Sequence, residues 1–202
     1  MNKIVLAITA LLLSLTVAAQ QKIILVVDAG HGGKDPGALS HTGERESDVC
    51  LDMAYVVADY AKQHGITVIM TRKNKDQFLT HQKRSGYKRN PNIPTYFVSL
   101  HLDKDQDVNK KGIKIYYYTR GNYATTSRVL AEKIGKGLEH LNHTEAKIED
   151  KDAIVLKNND MAAVMVYAGF MTNAEDLKRA KNPEYQKQVA ALIVKSITET
   201  KY

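Results

Sequence analysis

Ile23-Ile24-Leu25-Val26-Val27-Asp28-Ala29-Gly30-His31-Gly32-Gly33 is the stretch on which the reading of the fold turns. Its first five residues are apolar and mostly β-branched, with no polar alternation, as expected of a strand buried on both faces of a parallel sheet. The run stops at Asp28. Gly30, Gly32 and Gly33 then let the backbone turn tightly, so His31 is expected to project from a loop at the carboxyl end of that strand.

Working outward, Val49, Met53, Val56 and Tyr60 recur at helical spacing from Asp48, and Gly65 is a natural stop after Lys62-Gln63-His64. Ile66 to Met70 reads as a second strand. Strand, loop, helix and strand in this order mark a right-handed crossover unit with a parallel sheet. Tyr96 to Leu100 and Ile113 to Tyr118 read as further strands, and Ala163 to Val166 as a short final one. Leu130, Ile134, Leu138 and Leu141 line an amphipathic helix, and Val189, Leu192, Ile193 and Ile197 a closing one. The expected architecture is α/β and three-layered: a mostly parallel twisted sheet of about six strands with helices on both faces.

The 202 residues suit one domain, and 44% apolar with 25% charged residues is normal for a chain with a real core. The first twenty residues differ. Lys3 is a short basic start, Ile4 to Leu15 an apolar run, and Val17-Ala18-Ala19 supplies small residues before a cut near Gln20, so residues 1–19 read as a secretory signal peptide. The run is short of the ~20 residues of a spanning helix, and no integral membrane protein is expected. Cys50 is the single cysteine, which leaves no intramolecular disulfide and no lipid attachment at the cut. The formal charge of +7 suits an anionic partner. Nucleic acid fits poorly with export and with the scattered basic residues; adhesion to an anionic envelope fits better, and a solvated surface without a specific partner is an equal alternative.

Open sheets bind ligands at the carboxyl ends of their strands. His31 follows the first strand, His101 follows Phe97-Val98-Ser99-Leu100, and Glu46 stands at the start of the first helix, so three potential ligands converge on one edge. Two histidines and a carboxylate are a frequent catalytic zinc set, leaving a fourth position open for water. With 7 histidines in the chain, any one alone is more often a surface residue than a ligand.

Ordered motifs sharpen this. Val27-Asp28-Ala29-Gly30-His31-Gly32-Gly33-Lys34-Asp35-Pro36-Gly37-Ala38 resembles the opening motif of the zinc-dependent N-acetylmuramoyl-L-alanine amidases. Gly43-Glu44-Arg45-Glu46-Ser47-Asp48-Val49 is similar to the family's ligand-bearing helix start, and Met70-Thr71-Arg72 with Asp76 and Arg84 to the next block. Ser99-Leu100-His101-Leu102-Asp103 and Gly169-Phe170-Met171-Thr172-Asn173 match two more, so the resemblance runs from Lys22 to about Ile197. It implies an amidase-like zinc-binding domain over residues 22–202, with Zn2+ held by His31, Glu46 and His101. It also implies hydrolysis of the amide between N-acetylmuramic acid and L-alanine in peptidoglycan. The location implied is the periplasm or the extracellular cell envelope, and nothing such as a heptad seam suggests more than a monomer. Glu44 is a rival carboxylate, but Glu46 keeps the family's register to Asp48-Val49; His41 reads as a loop residue, exposed or lining the groove.

The chain departs from the family at the catalytic base. Where the family places a glutamate, in a segment like Met-Pro-Ala-Val-Leu-Val-Glu-x-Gly-Phe, this chain has Met161-Ala162-Ala163-Val164-Met165-Val166-Tyr167-Ala168-Gly169-Phe170, with Tyr167 at the glutamate's position. An unperturbed tyrosine, with a pKa of about 10, is a poor base at neutral pH. A catalytically impaired relative that keeps zinc and binds wall fragments or a partner is therefore the alternative function. Asp103 and Asp160 are candidate substitute carboxylates, with bland readings as a strand-end and a turn residue. Arg72 and Arg84 could take a substrate carboxylate, though pairing with Asp76 or nearby backbone is the stronger expectation. Tyr116-Tyr117-Tyr118 should split between the two faces of a strand, and Leu156 to Asp160 reads as a loop near the site.

Overall fold

A computed structural model describes residues 22–202. The signal peptide read from residues 1–19 lies outside the described residues. Elements follow in the order β1 (Ile24–Ala29), α1 (Glu46–Gln63), β2 (Thr67–Met70), α2 (His81–Arg84), β3 (Thr95–Asp103), β4 (Ile113–Tyr117) and α3 (Ala124–Asn142). Then come β5 (Ala146–Asp150), α4 (Ile154–Lys157), β6 (Ala162–Phe170), α5 (Ala174–Ala180) and α6 (Pro183–Glu199). The strands form one sheet in the order β2-β1-β3-β6-β4-β5. β2, β1, β3 and β6 are mutually parallel, β4 pairs antiparallel with β6, and β5 runs parallel to β4.

The period of two decides which side chains go where. Leu25, Val27, Val98, Leu100, Val164 and Val166 point to one face, where α1, α3 and α6 bury them under Val49, Met53, Leu130, Ile134, Val189 and Ile193. Val26, Phe97, Ala163 and Met165 point to the other, against Val155, Leu156 and Met161. That second face is covered thinly, by the one-turn helices α2 and α4 and their loops. Asp28, Ser99, His101 and Tyr167 share its parity, so polar and ligating groups collect on the side where the sheet leaves room above them.

The expected α/β architecture holds, with local differences. β5 was not legible: Ala146-Lys147-Ile148-Glu149-Asp150 is an edge strand whose outer positions are solvated, so it lacks an apolar run. Residues 154–157 of the region near the expected loop form α4. β3 and β6 extend past their apolar runs, so His101 and Tyr167 lie within strands, paired in register with each other. The tyrosine run divides as expected: Tyr116 and Tyr118 pack on the thin face and Tyr117 on the main core.

Candidate metal centre

The order β2-β1-β3 means that the chain leaves β1 in one direction and returns on its other side, so the carboxyl ends of β1 and β3 flank a switch point where a crevice opens. His31 stands in the loop after β1, His101 on β3, and Glu46 is the first residue of α1. No side chain caps α1; its first N–H groups, on Glu46 and Ser47, donate to the carbonyls of Ala38 and Pro36 in the same loop. Loop and helix start are thereby tied together.

The three side chains meet. His31 Nε2 is 3.2 Å and His101 Nδ1 3.0 Å from Glu46 Oε1. One ligand-type atom from each of the three lies within 4.8 Å of the others, the cluster of this kind found among the described residues. The backbone orients Glu46: Ala38 N–H donates to its Oε2 at 2.8 Å and Leu102 N–H to its Oε1 at 3.1 Å. His31 Nδ1–H donates to Asp35 Oδ2 at 2.8 Å, which directs the other ring nitrogen at the cluster. Two glycines make room. A Cβ on Gly30 would sit 2.4 Å from His101 Cε1, and one on Gly37, at φ +69°, 2.6 Å from Glu46 Oε2.

This donor set fits a divalent ion. Neighbouring ligands around a tetrahedral zinc bound at about 2.0–2.1 Å stand about 3.3 Å apart, close to the two separations in the cluster. Burial opposes the charge of Glu46, but the imidazoles of His101 and His31 more than offset it and hold the carboxyl far below its usual range. Burial likewise opposes a charge on His31, and Glu46 and Asp35 outweigh it, so the imidazole is raised.

Tyr167 faces the cluster. Its ring stacks on His101 with centroids 5.1 Å apart and planes at 22°, and Tyr116 meets it edge-on at 5.5 Å. Burial first, then the carboxylates of Glu46 and Asp103, push its phenol well above the usual tyrosine value. Beside His31 and His101 opens a cleft of about 310 Å³ between α2 and α4, with Phe78, Leu79, His81, Val155 and Met165 in its wall.

The rivals are elsewhere. Glu44 is paired with Lys181 outside the cluster. His41 is exposed and lines a separate hollow with Val108 and Thr172. Asp103 follows a register shift in β3 and is ion-paired to Lys114. Asp160 precedes β6, whose first residue pairs with Tyr96 at the opposite end of the sheet from His101 and Tyr167, so it does not approach the site. Arg72 and Arg84 are buried, and neither pairs with Asp76. Arg84 Nη1 is 2.8 Å from Asp28 Oδ1, and the other contacts of both guanidiniums go to backbone carbonyls. Asp28 and Asp35 were missed as site residues; the available signal was a carboxylate ending an otherwise apolar strand and another four residues beyond His31.

A family model for N-acetylmuramoyl-L-alanine amidase matches residues 25–199. The chain belongs to the N-acetylmuramoyl-L-alanine amidase family. Among curated relatives, the germination-specific N-acetylmuramoyl-L-alanine amidase of Bacillus subtilis is 29% identical, over 86% of this chain and 78% of its own. The solved structure of the amidase AmiC2 of Nostoc punctiforme superposes with a TM-score of 0.75 at 31% identity, covering 88% of this chain and 96% of the other. That of the catalytic domain of CwlV from Paenibacillus polymyxa gives 0.77 at 28%, covering 88% and 97%. No helix among the described residues of this family member is long and apolar enough to cross a membrane.

Proposed function

We propose that this amidase-family chain is exported and uses zinc, held by His31, Glu46 and His101, to hydrolyse the amide between N-acetylmuramic acid and L-alanine in peptidoglycan. The observation that carries the reading is the donor cluster of half-buried His31 with buried Glu46 and His101, at a strand switch point beside an open cleft. When bound, zinc supplies Lewis-acid activation of water and of the scissile carbonyl. The chain's own groups do the rest. Asp35 keeps the His31 ring oriented, the Ala38 and Leu102 amides fix Glu46, and the cleft between α2 and α4 receives substrate next to the ligands. Tyr167 stands at the family's base position, where its O–H can donate to a developing oxyanion but, held as a neutral phenol, cannot accept a proton as a carboxylate would. The envelope location rests on the signal reading of residues 1–19 and on the named roles of the relatives.

The test is stem-peptide release from purified peptidoglycan by the zinc-loaded protein. Release should be slow but measurable, and Glu46→Ala should lower it to background while removing stoichiometric zinc. Release that persists in Glu46→Ala, or after chelation, overturns the zinc reading. Tyr167 also favours a second reading, a wall-fragment binder without turnover. Zinc-dependent retention on peptidoglycan with no release at all would select it.

A further inference from the structure

Arg72 and Arg84 are buried beneath the centre, and their guanidiniums grip its backbone. Arg72 Nε donates to the carbonyl of Ala29 at 3.0 Å and its Nη1 to that of Asn74 at 3.3 Å. Its Nη2 donates both to Gly30, at 2.8 Å, and to Ser47, at 2.6 Å. Arg84 donates to the same Ala29 carbonyl at 2.7 Å and to the carbonyl of His31. Three successive carbonyls, of Ala29, Gly30 and His31, are thus turned inward onto two cations. This is the segment in which His31 adopts φ +58°, a conformation uncommon outside glycine. Arg72 adds a second anchor, since the Ser47 carbonyl belongs to the first turn of α1, next to Glu46. One side chain therefore spans the loop carrying one ligand and the helix carrying another.

We infer that Arg72 is a positioning residue for the metal: it sets the distance between His31 and Glu46 before an ion arrives. This role for Arg72 rests on the zinc reading above. Arg72 has no carboxylate within ion-pairing distance among the described residues; Asp28 pairs with Arg84 and Asp48 with Lys75. All four of its hydrogen bonds go to backbone oxygens, so its side chain is spent on shaping two segments. A lysine cannot replace it, because a single ammonium lacks the planar fork that reaches carbonyls on both segments at once. Groups that orient metal ligands typically change affinity by about 10–100-fold when altered.

The experiment measures zinc affinity by competition with a chromophoric chelator, with melting temperature recorded with and without zinc. Wild type should bind one zinc tightly, and Arg72→Lys should bind about 10–100-fold more weakly, with a correspondingly smaller zinc-induced rise in melting temperature. Leu138→Ala, a cavity in α3 away from the cluster, should lower melting temperature and leave zinc affinity unchanged. If Arg72→Lys melts lower but binds zinc like wild type, Arg72 is merely structural and the inference fails. If wild type itself binds no zinc, the metal reading fails instead, a different outcome. Should Arg72→Lys not fold, Arg72→Gln takes its place, since one planar amide group cannot span both segments as the guanidinium does; zinc binding like wild type overturns the inference there as well.

Discussion

Tyr167→Glu should raise the rate of stem-peptide release by about 10²–10⁴-fold, the usual worth of one positioned general base. The backbone is already in place: Tyr167 pairs in register with His101 and lies against its ring, on the sheet face that opens to the cleft. A carboxylate there would be half-buried near Glu46 and Asp103, the same two charges that push the tyrosine phenol upward. Burial and like charge raise a glutamate's pKa towards the neutral range in which a base both accepts and returns a proton efficiently. Tyr167→Phe separates the two possible uses of the phenol. If the O–H donates to the oxyanion, the phenylalanine variant is slower than wild type; if the ring only packs on His101, the two are equal. Wild-type release as fast as that of Tyr167→Glu would show that position 167 does not limit the reaction.

A second large effect falls on stability. Asp28 is fully enclosed, with Oδ1 accepting from Thr71 at 2.6 Å and Arg84 at 2.8 Å, and Oδ2 accepting from Ser99 at 2.7 Å. Asp28→Asn leaves the buried Arg84 guanidinium without its counter-charge, a change that typically costs about 3–5 kcal/mol. In a domain of this size that is a fall in melting temperature of roughly 6–20 °C. Asp59→Asn, which breaks an exposed pair with Lys62, should cost under about 1 kcal/mol. The pH dependence has a definite sign. Burial opposes the charge of Asp28, but Arg84, Thr71 and Ser99 together lower its pKa below the ordinary value. Its contribution is therefore complete above the unfolded pKa of about 3.9 and is lost as pH falls through the lower folded value. Urea unfolding should show the gap between wild type and Asp28→Asn at full width near pH 6 and narrowing below about pH 4. A gap of constant width down to pH 2 would mean that the carboxylate's charge is not what stabilises the fold.

How much was legible in advance varies with the physics of each element. The buried strands at residues 24–29 and 95–103 were readable because both of their faces are covered, which demands continuous apolar residues. The helix at 46–63 was readable because only one stripe of it meets the sheet. The edge strand at 146–150 and the one-turn helices at 81–84 and 154–157 were not, since elements with few buried positions need no pattern. His31, Glu46 and His101 were identified as a candidate set from strand ends and ordered motifs, and the structure brings those three side chains together. Arg72 and Arg84 were legible only as arginines in a motif, with their partners open.

Local pattern, then, settled the fold class and the first buried strand, because burial repeats at a period of two or 3.6 and leaves its mark on neighbouring residues; the three side chains that meet were named from ordered motifs that resemble the family's. Folding had to decide the rest. That β1 and β3 lie side by side depends on the route of a crossover, and no short stretch encodes it. That Arg72 reaches the Ala29, Gly30 and Ser47 carbonyls, and that Tyr167 lies flat on His101, depends on which backbone and ring are nearest once the sheet has assembled. A guanidinium binds any carbonyl within reach, and only the tertiary structure determines which ones those are.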